Sequence, residues 1–247
     1  MKKLILVGPI VLIIIWSFLT FSQLVKPIFL SSPITTFNEL WNLSIRGEIL
    51  NDIFKTLYRL IFGFSLGIAI GIPIGIFIGY SEKVYLSLEA VIDFFRSIPV
   101  AALFPLFLLC FGTGDLTKIC TAAWSTSLIV LINTMYGVKH SKKIRIMVAK
   151  TMRISKYQMF TKIIFPDALP EIFAGLRIGL SIALIVVIMT EMFMGTSVGL
   201  GLRIFNASLL YRTSELYATL IVIGILGYLI NKLFVFIETK FVHWAGK

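Results

Sequence analysis

Long apolar runs are the feature that most constrains how this chain can fold. Six stretches of about twenty or more mostly apolar residues lie along its 247 positions, and about 20 apolar residues are enough for a helix to cross the hydrocarbon core of a bilayer. The chain is 58% hydrophobic and only 14% charged, too little charge for the surface of a soluble domain of this size. We therefore predict an all-α integral membrane protein with six transmembrane helices, since a helix satisfies its backbone polar groups internally.

Polar and turn-forming residues bound the predicted spans. These cover approximately residues 4–23, 56–80, 86–111, 119–138, 172–194 and 216–237. The pattern predicts an N-terminal transmembrane helix (1–25), an external polar segment (26–54) and a five-helix core (55–242) that contains a long loop (139–170). A cleaved signal peptide is the alternative for the first run, but that run is longer than a usual signal core and no A-x-A site follows it.

The distribution of basic residues predicts the orientation. With an even number of spans, both termini and the 139–170 loop share one side, which holds most of the lysines and arginines behind the net charge of +11. The positive-inside rule places that side in the cytoplasm of a prokaryotic cell. The same excess in a soluble protein would suggest nucleic acid, but the spans leave no soluble basic domain to bind it, so the lipid bilayer is the expected environment.

Small residues recur at four-residue spacing in the second span. The positions are Gly63, Gly67, Gly71, Gly75 and Gly79. Residues four apart share one helix face, so they form a smooth ridge that another helix can approach closely. Tight packing within one subunit and a contact that moves or joins two subunits are both compatible with this ridge.

Three residues are candidates for a gate or a transport pathway. The third span is predicted to be interrupted twice, at Arg96-Ser97-Ile98-Pro99 and at Pro105. Arg96 is spaced to pair with Asp93, and broken helices often line transport pathways. Glu191 is an acid near the outer end of the fifth span, and such acids are functional candidates. At that depth Glu191 can instead cap or hydrogen-bond a neighbouring loop.

Chemical motifs of an enzyme are missing from the sequence. It has no phosphate-binding loop, no H-E-x-x-H and no G-x-S-x-G, so no catalytic residue is predicted. Cys110 and Cys120 lack metal-ligand spacing, and no metal or cofactor is expected. The spans also lack the several buried acids usual in an ion-coupled transporter, which suggests that energy enters from a partner.

The loop 139–170 carries eight basic residues and one acid, Asp167. Its middle, 147–160, has the pattern of a short amphipathic helix. Such a helix can lie on anionic lipid headgroups. It can also dock on a soluble protein, with charge orienting the encounter and apolar residues supplying affinity.

The loop resembles a known family motif. Ala149-Lys150-Thr151-Met152-Arg153, followed after nine residues by Ile163-Ile164-Phe165-Pro166, is similar to the EAA loop of ABC-importer permeases. That pattern has Glu-Ala-Ala, three residues, Gly, nine residues and Ile-x-Leu-Pro. Met147 stands here in the place of the Glu, and Arg153 in that of the Gly.

Other segments narrow the resemblance to the nitrate, sulfonate, taurine and bicarbonate branch. They are Phe95-Arg96-Ser97-Ile98-Pro99, Phe111-Gly112-Thr113-Gly114, Glu191-Met192 and Gly199-Leu200-Gly201. The likeness implies a type I ABC importer permease fold in which a cytoplasmic coupling helix sits on an ATPase. It also implies a cytoplasmic ATPase dimer, a second permease subunit, in a homodimer, and an external substrate-binding protein.

The motif match assigns ATPase coupling to a set of loop residues. They are Ala149, Lys150, Met152, Arg153, Ser155, Lys156, Met159, Phe160, Ile163 and Pro166. The branch suggests a small anion as substrate, and the ATPase partner, not this chain, would hydrolyse ATP. A vitamin precursor or another heterocycle is an alternative substrate, and an ion-coupled secondary transporter or a membrane enzyme is an alternative class.

Overall fold

A computed structural model describes residues 7–141, 143–193 and 197–242. Every regular element in these ranges is helical. The helices are α1 Val7–Phe21, α2 Pro33–Ile45, α3 Glu48–Tyr80, α4 Glu82–Ser97, α5 Val100–Phe111, α6 Asp115–Lys139, α7 Lys143–Thr151, α8 Lys156–Met159, α9 Phe165–Phe193, α10 Leu200–Leu209 and α11 Thr213–Phe241. The chain forms two compact units, Met1–Leu57 with Glu191–Leu226 and Tyr58–Thr190 with Gly227–Lys247.

Four helical stretches are long and apolar enough to cross a membrane. They are α3, α6, α11 and the continuous run Lys156–Phe193, and the bent pair α4–α5 can form a fifth span. The described part of α1 is apolar but only 15 residues long. These helices confirm the predicted all-α membrane fold. The predicted beginning of the first span, residues 4–6, lies outside the described residues, and so does the predicted end of the fifth span, Met194.

The third predicted span is sharply bent. Helices α4 and α5 meet at an angle of 88°, around Ile98 and Pro99. Proline has no N–H for the helix ladder and disfavours helical geometry in the residue before it. Ile98 accordingly has an extended ψ of 118°, which confirms the predicted interruption at Pro99, whereas Pro105 lies inside α5 and does not interrupt it.

The glycine ridge of α3 packs on α6 within the second unit. A Cβ added at Gly67 would lie 2.5 Å from Thr126 Cβ, and one at Gly79 would lie 2.6 Å from the Met135 carbonyl oxygen. Such short distances mean that no side chain fits between the two backbones. Of the two alternatives for the ridge, this contact favours packing within one subunit, because a helix of the same chain covers the glycines.

Helix α6 makes an equally close contact with α9. A Cβ at Gly175 would lie 2.5 Å from Asn133 Cβ, and one at Gly137 would lie 3.0 Å from the Ala168 carbonyl oxygen. Helix α6 is therefore held between α3 and α9. A buried apolar cluster lies among α6, α9 and the π-helical turn Phe160–Ile164 that precedes α9. Its members are Val130, Val138, Ile164, Ala168, Ile172 and Leu176.

Candidate functional site: a coupling loop and a capped helix

The predicted amphipathic helix over 147–160 is two helices with a turn between them. Helix α7 ends at Thr151, and α8 begins at Lys156. Backbone bonds close the end of α7, from Met152 N to the Val148 oxygen at 3.1 Å and from Ile154 N to the Ala149 oxygen at 3.4 Å. The expectation of one helix was wrong because the turn at 152–155 interrupts it.

Arg153 sets the geometry of this turn. Its φ is +53°, in the left-handed region where a side chain costs about 1–2 kcal/mol and glycine costs nothing. This is the position at which the family pattern has glycine. The chain therefore keeps the glycine-like backbone at this place while adding an exposed basic side chain.

A capping box restarts the helix after the turn. Gln158 N donates to Ser155 Oγ, and Ser155 N donates to Gln158 Oε1, each at 3.2 Å. The signature Ser-x-x-Gln is readable in the sequence and marks a helix start. Our sequence analysis missed it, and with it the break in the predicted helix.

A π-helical turn, Phe160–Ile164, joins α8 to α9. Phe165 N donates to the Phe160 oxygen five residues back. Pro166 follows, has no N–H, and its ring would crowd a carbonyl of the preceding turn, so a wider turn suits this position. Pro166 consequently lies in the first turn of α9, and Pro170 lies inside that helix.

Exposed apolar side chains line a groove along the loop. The groove has a volume of about 330 Å³ and includes Val148, Met152 and Ile163. The side chain of Met152 is 71% exposed, as docking requires, and α7 adds exposed Ile144 and Met147. Our assignment omitted Ile144 because it started the helix at 147, four residues too late. It also omitted Val148, which lies inside the predicted helix.

Met159 and Phe160 face the other way. Both are half-buried and pack against the apolar cluster under the loop. The Phe160 ring lies 6.0 Å from the ring of Tyr80 and 6.1 Å from that of Phe165. Ala149 is also buried. These three residues therefore fix the loop to the second unit and do not present themselves to a partner.

The charged residues of the loop divide in the same way. Arg145 forms an ion pair with Asp167, which holds α7 to the start of α9. Arg153, Ser155 and Lys156 are exposed beside the groove. The side chain of Lys150 lies outside the described residues.

In the first unit, three side chains cap the N-terminus of α10. Gly199 N donates to Asp52 Oδ1 at 2.8 Å, Leu200 N to Thr56 Oγ1 at 3.1 Å and Gly201 N to Glu191 Oε2 at 2.9 Å. The first N–H groups of a helix lack partners within it and carry partial positive charge. Two carboxylates and a hydroxyl supply the missing acceptors. Glu191 itself is fully buried. It caps a neighbouring helix, which is the alternative that the sequence left open for an acid near the membrane boundary.

Arg203 ties this cap to two further helices. Its Nε donates to Asp52 Oδ2 at 2.5 Å, and its Nη1 lies 2.7 Å from Glu215 Oε1 and 3.3 Å from Glu48 Oε2. Burial alone would lower the pKa of Arg203, but hydrogen bonds and charges from Asp52 and Glu215 outweigh it and raise that pKa. The Arg203 guanidinium therefore stays protonated. A cavity of about 230 Å³ lies beside Asp52, Arg203 and Glu215.

The other pathway candidates lie at the bend of the second unit. Arg96 Nη2 is 3.0 Å from Asp93 Oδ1, which confirms the predicted pair, and both side chains are more than half exposed. Pro99 is the N-cap of α5. Their part in gating stays a prediction.

Comparisons with known proteins agree with this all-helical architecture and its loop. Residues 71–244 match the family described as binding-protein-dependent transport system inner membrane component. The chain belongs to this family, and it is a multi-pass permease subunit of an ABC importer.

Named relatives extend the match over the chain. SsuC of Bacillus subtilis (strain 168), named as an aliphatic sulfonates transport permease, is 32% identical over all of this chain and 88% of that relative. The taurine permease TauC of Escherichia coli (strain K12) is 30% identical over 68% of this chain. The nitrate permease NrtB of Synechocystis sp. is 32% identical over 66% of it. The last two matches span only 61% and 59% of those relatives.

Solved structures share the fold at lower identity. A MetNI methionine ABC transporter chain superimposes with a TM-score of 0.70 at 19% identity, over 80% of this chain and 98% of that one. A chain of an amino acid ABC transporter gives 0.61 at 20% identity, over 81% and 97%. At these identities the likeness is one of fold.

Proposed function

We propose that this chain forms the membrane pathway for a small oxyanion, such as a sulfonate, taurine or nitrate. An external binding protein delivers the anion, and a pair of cytoplasmic ATPases, docked on a homodimer of this permease, drives its import. The substrate class rests on the relatives, which are named as permeases for aliphatic sulfonates, taurine and nitrate. Both termini and the 139–170 loop lie in the cytoplasm, following the basic residues of the loop.

The single observation that carries the proposal is the exposed apolar groove of the loop. A membrane-protein loop gains nothing by leaving Ile144, Val148 and Met152 in water, since burying each contributes roughly 1.5–3 kcal/mol. Exposed apolar patches of this kind mark interaction surfaces. The exposed basic residues Arg153 and Lys156 beside them favour an acidic rim on the ATPase and fix its orientation.

A continuous helix couples the docked ATPase to the membrane part of the permease. The loop runs through the π-helical turn into α9 without a break, as Lys156–Phe193, and Phe160 and the Arg145–Asp167 pair hold it to the second unit. A displacement of the docked ATPase is thereby transmitted to a membrane helix.

Copurification of the ATPase tests the docking surface. Met152→Asp places a charge in the groove and is expected to abolish copurification while leaving membrane insertion unchanged. Lys83→Gln, an exposed charge change of equal size outside the loop, should retain it. If Met152→Asp retains the ATPase as well as Lys83→Gln does, the docking surface is misplaced.

Transport in proteoliposomes tests the substrate class and the energy source. Vesicles with the ATPase and ATP inside and the binding protein outside should accumulate labelled taurine, an alkanesulfonate or nitrate, and vesicles without ATP should not. Accumulation driven by an ion gradient without ATP would overturn the importer mechanism. ATP-driven uptake of a neutral heterocycle but of none of the anions would overturn the substrate class alone.

A further inference from the structure

Helix α2 has an apolar stripe that no described residue covers. The stripe consists of Ile34, Phe37, Trp41 and Ile45, and their side chains are 61%, 50%, 68% and 68% exposed. The opposite face, with Thr36 and Leu43, is buried against the protein. One face of α2 therefore packs on the protein, and its apolar stripe faces outward.

A polar row runs beside the stripe. Asn38, Asn42 and Arg46 follow at four-residue spacing, one position after Phe37, Trp41 and Ile45, and all three are exposed. Residues four apart stack along a helix, so the two rows are parallel strips on adjacent faces. This arrangement, with aromatic side chains in the apolar strip, is typical of a helix at a membrane–water boundary.

Hydrogen bonds hold the beginning of α2 at the ends of two membrane helices. The Trp16 indole N–H of α1 donates to the Ser31 oxygen at 2.8 Å, and Trp16 lies about 7.5 Å inside the end of α1 at Phe21. In the first turns of α11, the hydroxyls of Thr213 and Tyr217 donate to the oxygens of Ile28 and Phe29. The residues just before α2 thus lie at the depth where α1 and α11 meet the boundary.

The other end of α2 is held at a similar level. Only Arg46 and Gly47 separate it from α3, and Asp52, in the second turn of α3, meets Arg203. Arg203 in turn bonds Glu215 in the first turn of α11. Both ends of α2 are therefore attached to the outermost turns of membrane helices.

We propose that α2 lies in the lipid headgroup region on the side where α1 ends, with Ile34, Phe37, Trp41 and Ile45 inserted among acyl chains. Lipid is the occupant because further exposed aromatic side chains stand at the end of α1 and just before α2, where Phe21 and Phe29 are 63% and 65% exposed. A soluble partner would meet a polar strip and an apolar strip at once, whereas the boundary supplies water and lipid side by side. The assignment holds whichever side of the membrane this is.

Spin-label accessibility in lipid nanodiscs tests the proposal on the full chain with its ATPase. Nitroxides are attached at Trp41→Cys and Phe37→Cys, and at the matched polar positions Asn42→Cys and Asn38→Cys, after Cys110→Ser and Cys120→Ser. Labels at 37 and 41 should show a several-fold higher ratio of oxygen to water-soluble nickel accessibility than labels at 38 and 42. The two pairs are independent, so failure of one variant to fold leaves the other as the test.

Two results would overturn it. Equal ratios at adjacent positions would mean that the stripe faces water. Immobilised labels at 37 and 41, shielded from both reagents, would mean that a second copy or another protein covers the stripe. Neither result would bear on ATPase docking or substrate, since those depend on other residues.

Discussion

The Thr56 hydroxyl lies 3.0 Å from each carboxylate oxygen of Glu191, 135 positions away in the chain. Each of these residues also accepts a backbone N–H at the start of α10, Thr56 from Leu200 and Glu191 from Gly201. The pair thus fastens the end of α9 to α3 and to α10 through one fully buried contact. A carboxylate can do this because it offers two accepting oxygens and needs no proton.

Glu191→Gln should destabilise the protein. The amide NH₂ of Gln cannot accept a hydrogen bond, so one of the two oxygens that lie 3.0 Å from the Thr56 hydroxyl becomes a donor. The charge that strengthens the bond from Gly201 N–H is also lost, and we expect a cost on the order of 1–3 kcal/mol in a buried site. Thermal unfolding in detergent or nanodiscs measures the loss. Glu82→Gln, at an exposed position, is the control, and equal unfolding temperatures for the two variants would contradict the capping role.

Arg203→Lys should destabilise the same unit although the charge is retained. The guanidinium contacts Asp52 through Nε and Glu215 through Nη1, and a lysine ammonium cannot reproduce that fork. Arg212→Lys is the matched control because Arg212 is 65% exposed and has a single 3.6 Å contact with Glu215. We expect a clear drop in unfolding temperature for Arg203→Lys and almost none for Arg212→Lys. Similar drops would mean that charge alone holds the cluster.

Arg153→Gly should preserve the loop, whereas Arg153→Val should disrupt it. At a φ of +53°, glycine removes a backbone penalty of about 1–2 kcal/mol, while a β-branched residue increases it. Thermal unfolding should be unchanged or improved for Arg153→Gly and clearly worse for Arg153→Val. If the valine variant behaves like the glycine variant, the turn does not depend on this backbone conformation.

Gly71→Ala should weaken the contact between α3 and α6. The added Cβ would lie 2.7 Å from the Ser127 carbonyl oxygen, and a backbone atom cannot move aside cheaply, so we expect a loss of about 1–3 kcal/mol. Gly224→Ala is the control because nothing lies within 4 Å of a Cβ there. The difference in folded yield and unfolding temperature measures the effect. A Gly71→Ala variant as stable as Gly224→Ala would rule out close packing along the ridge.

Much of this protein could be predicted from local patterns. The apolar runs identified α3, α6, α9 and α11 because crossing a bilayer requires length and hydrophobicity, which a sequence displays directly. Spacing alone placed the glycines on one face of α3, and the pairing of Arg96 with Asp93 needed only one helical turn. Boundaries were less accurate: α3 begins eight residues before its predicted start, because Glu48–Lys55 is polar yet helical.

The coupling loop was predicted only in part. Residues 147–160 combine basic and apolar side chains, and this pattern does not say which of them turn inward. Ser155 and Gln158 did carry a readable signal for the break. The inward packing of Phe160, in contrast, depends on Tyr80 and Phe165, which the fold brings to it.

The sequence by itself determined that this chain is a helical membrane permease with a basic loop of the ABC-importer type, since hydropathy, charge asymmetry and motif spacing are properties of local order. Only the tertiary structure decided that the ridge meets α6, and that Asp52, Thr56 and Glu191 converge on the start of α10. Apart from the bond between Gly201 and Glu191, ten positions apart, those contacts join residues more than 40 positions apart, and their partners are chosen by packing geometry and by the need to satisfy buried polar groups. No periodicity in the sequence records that choice.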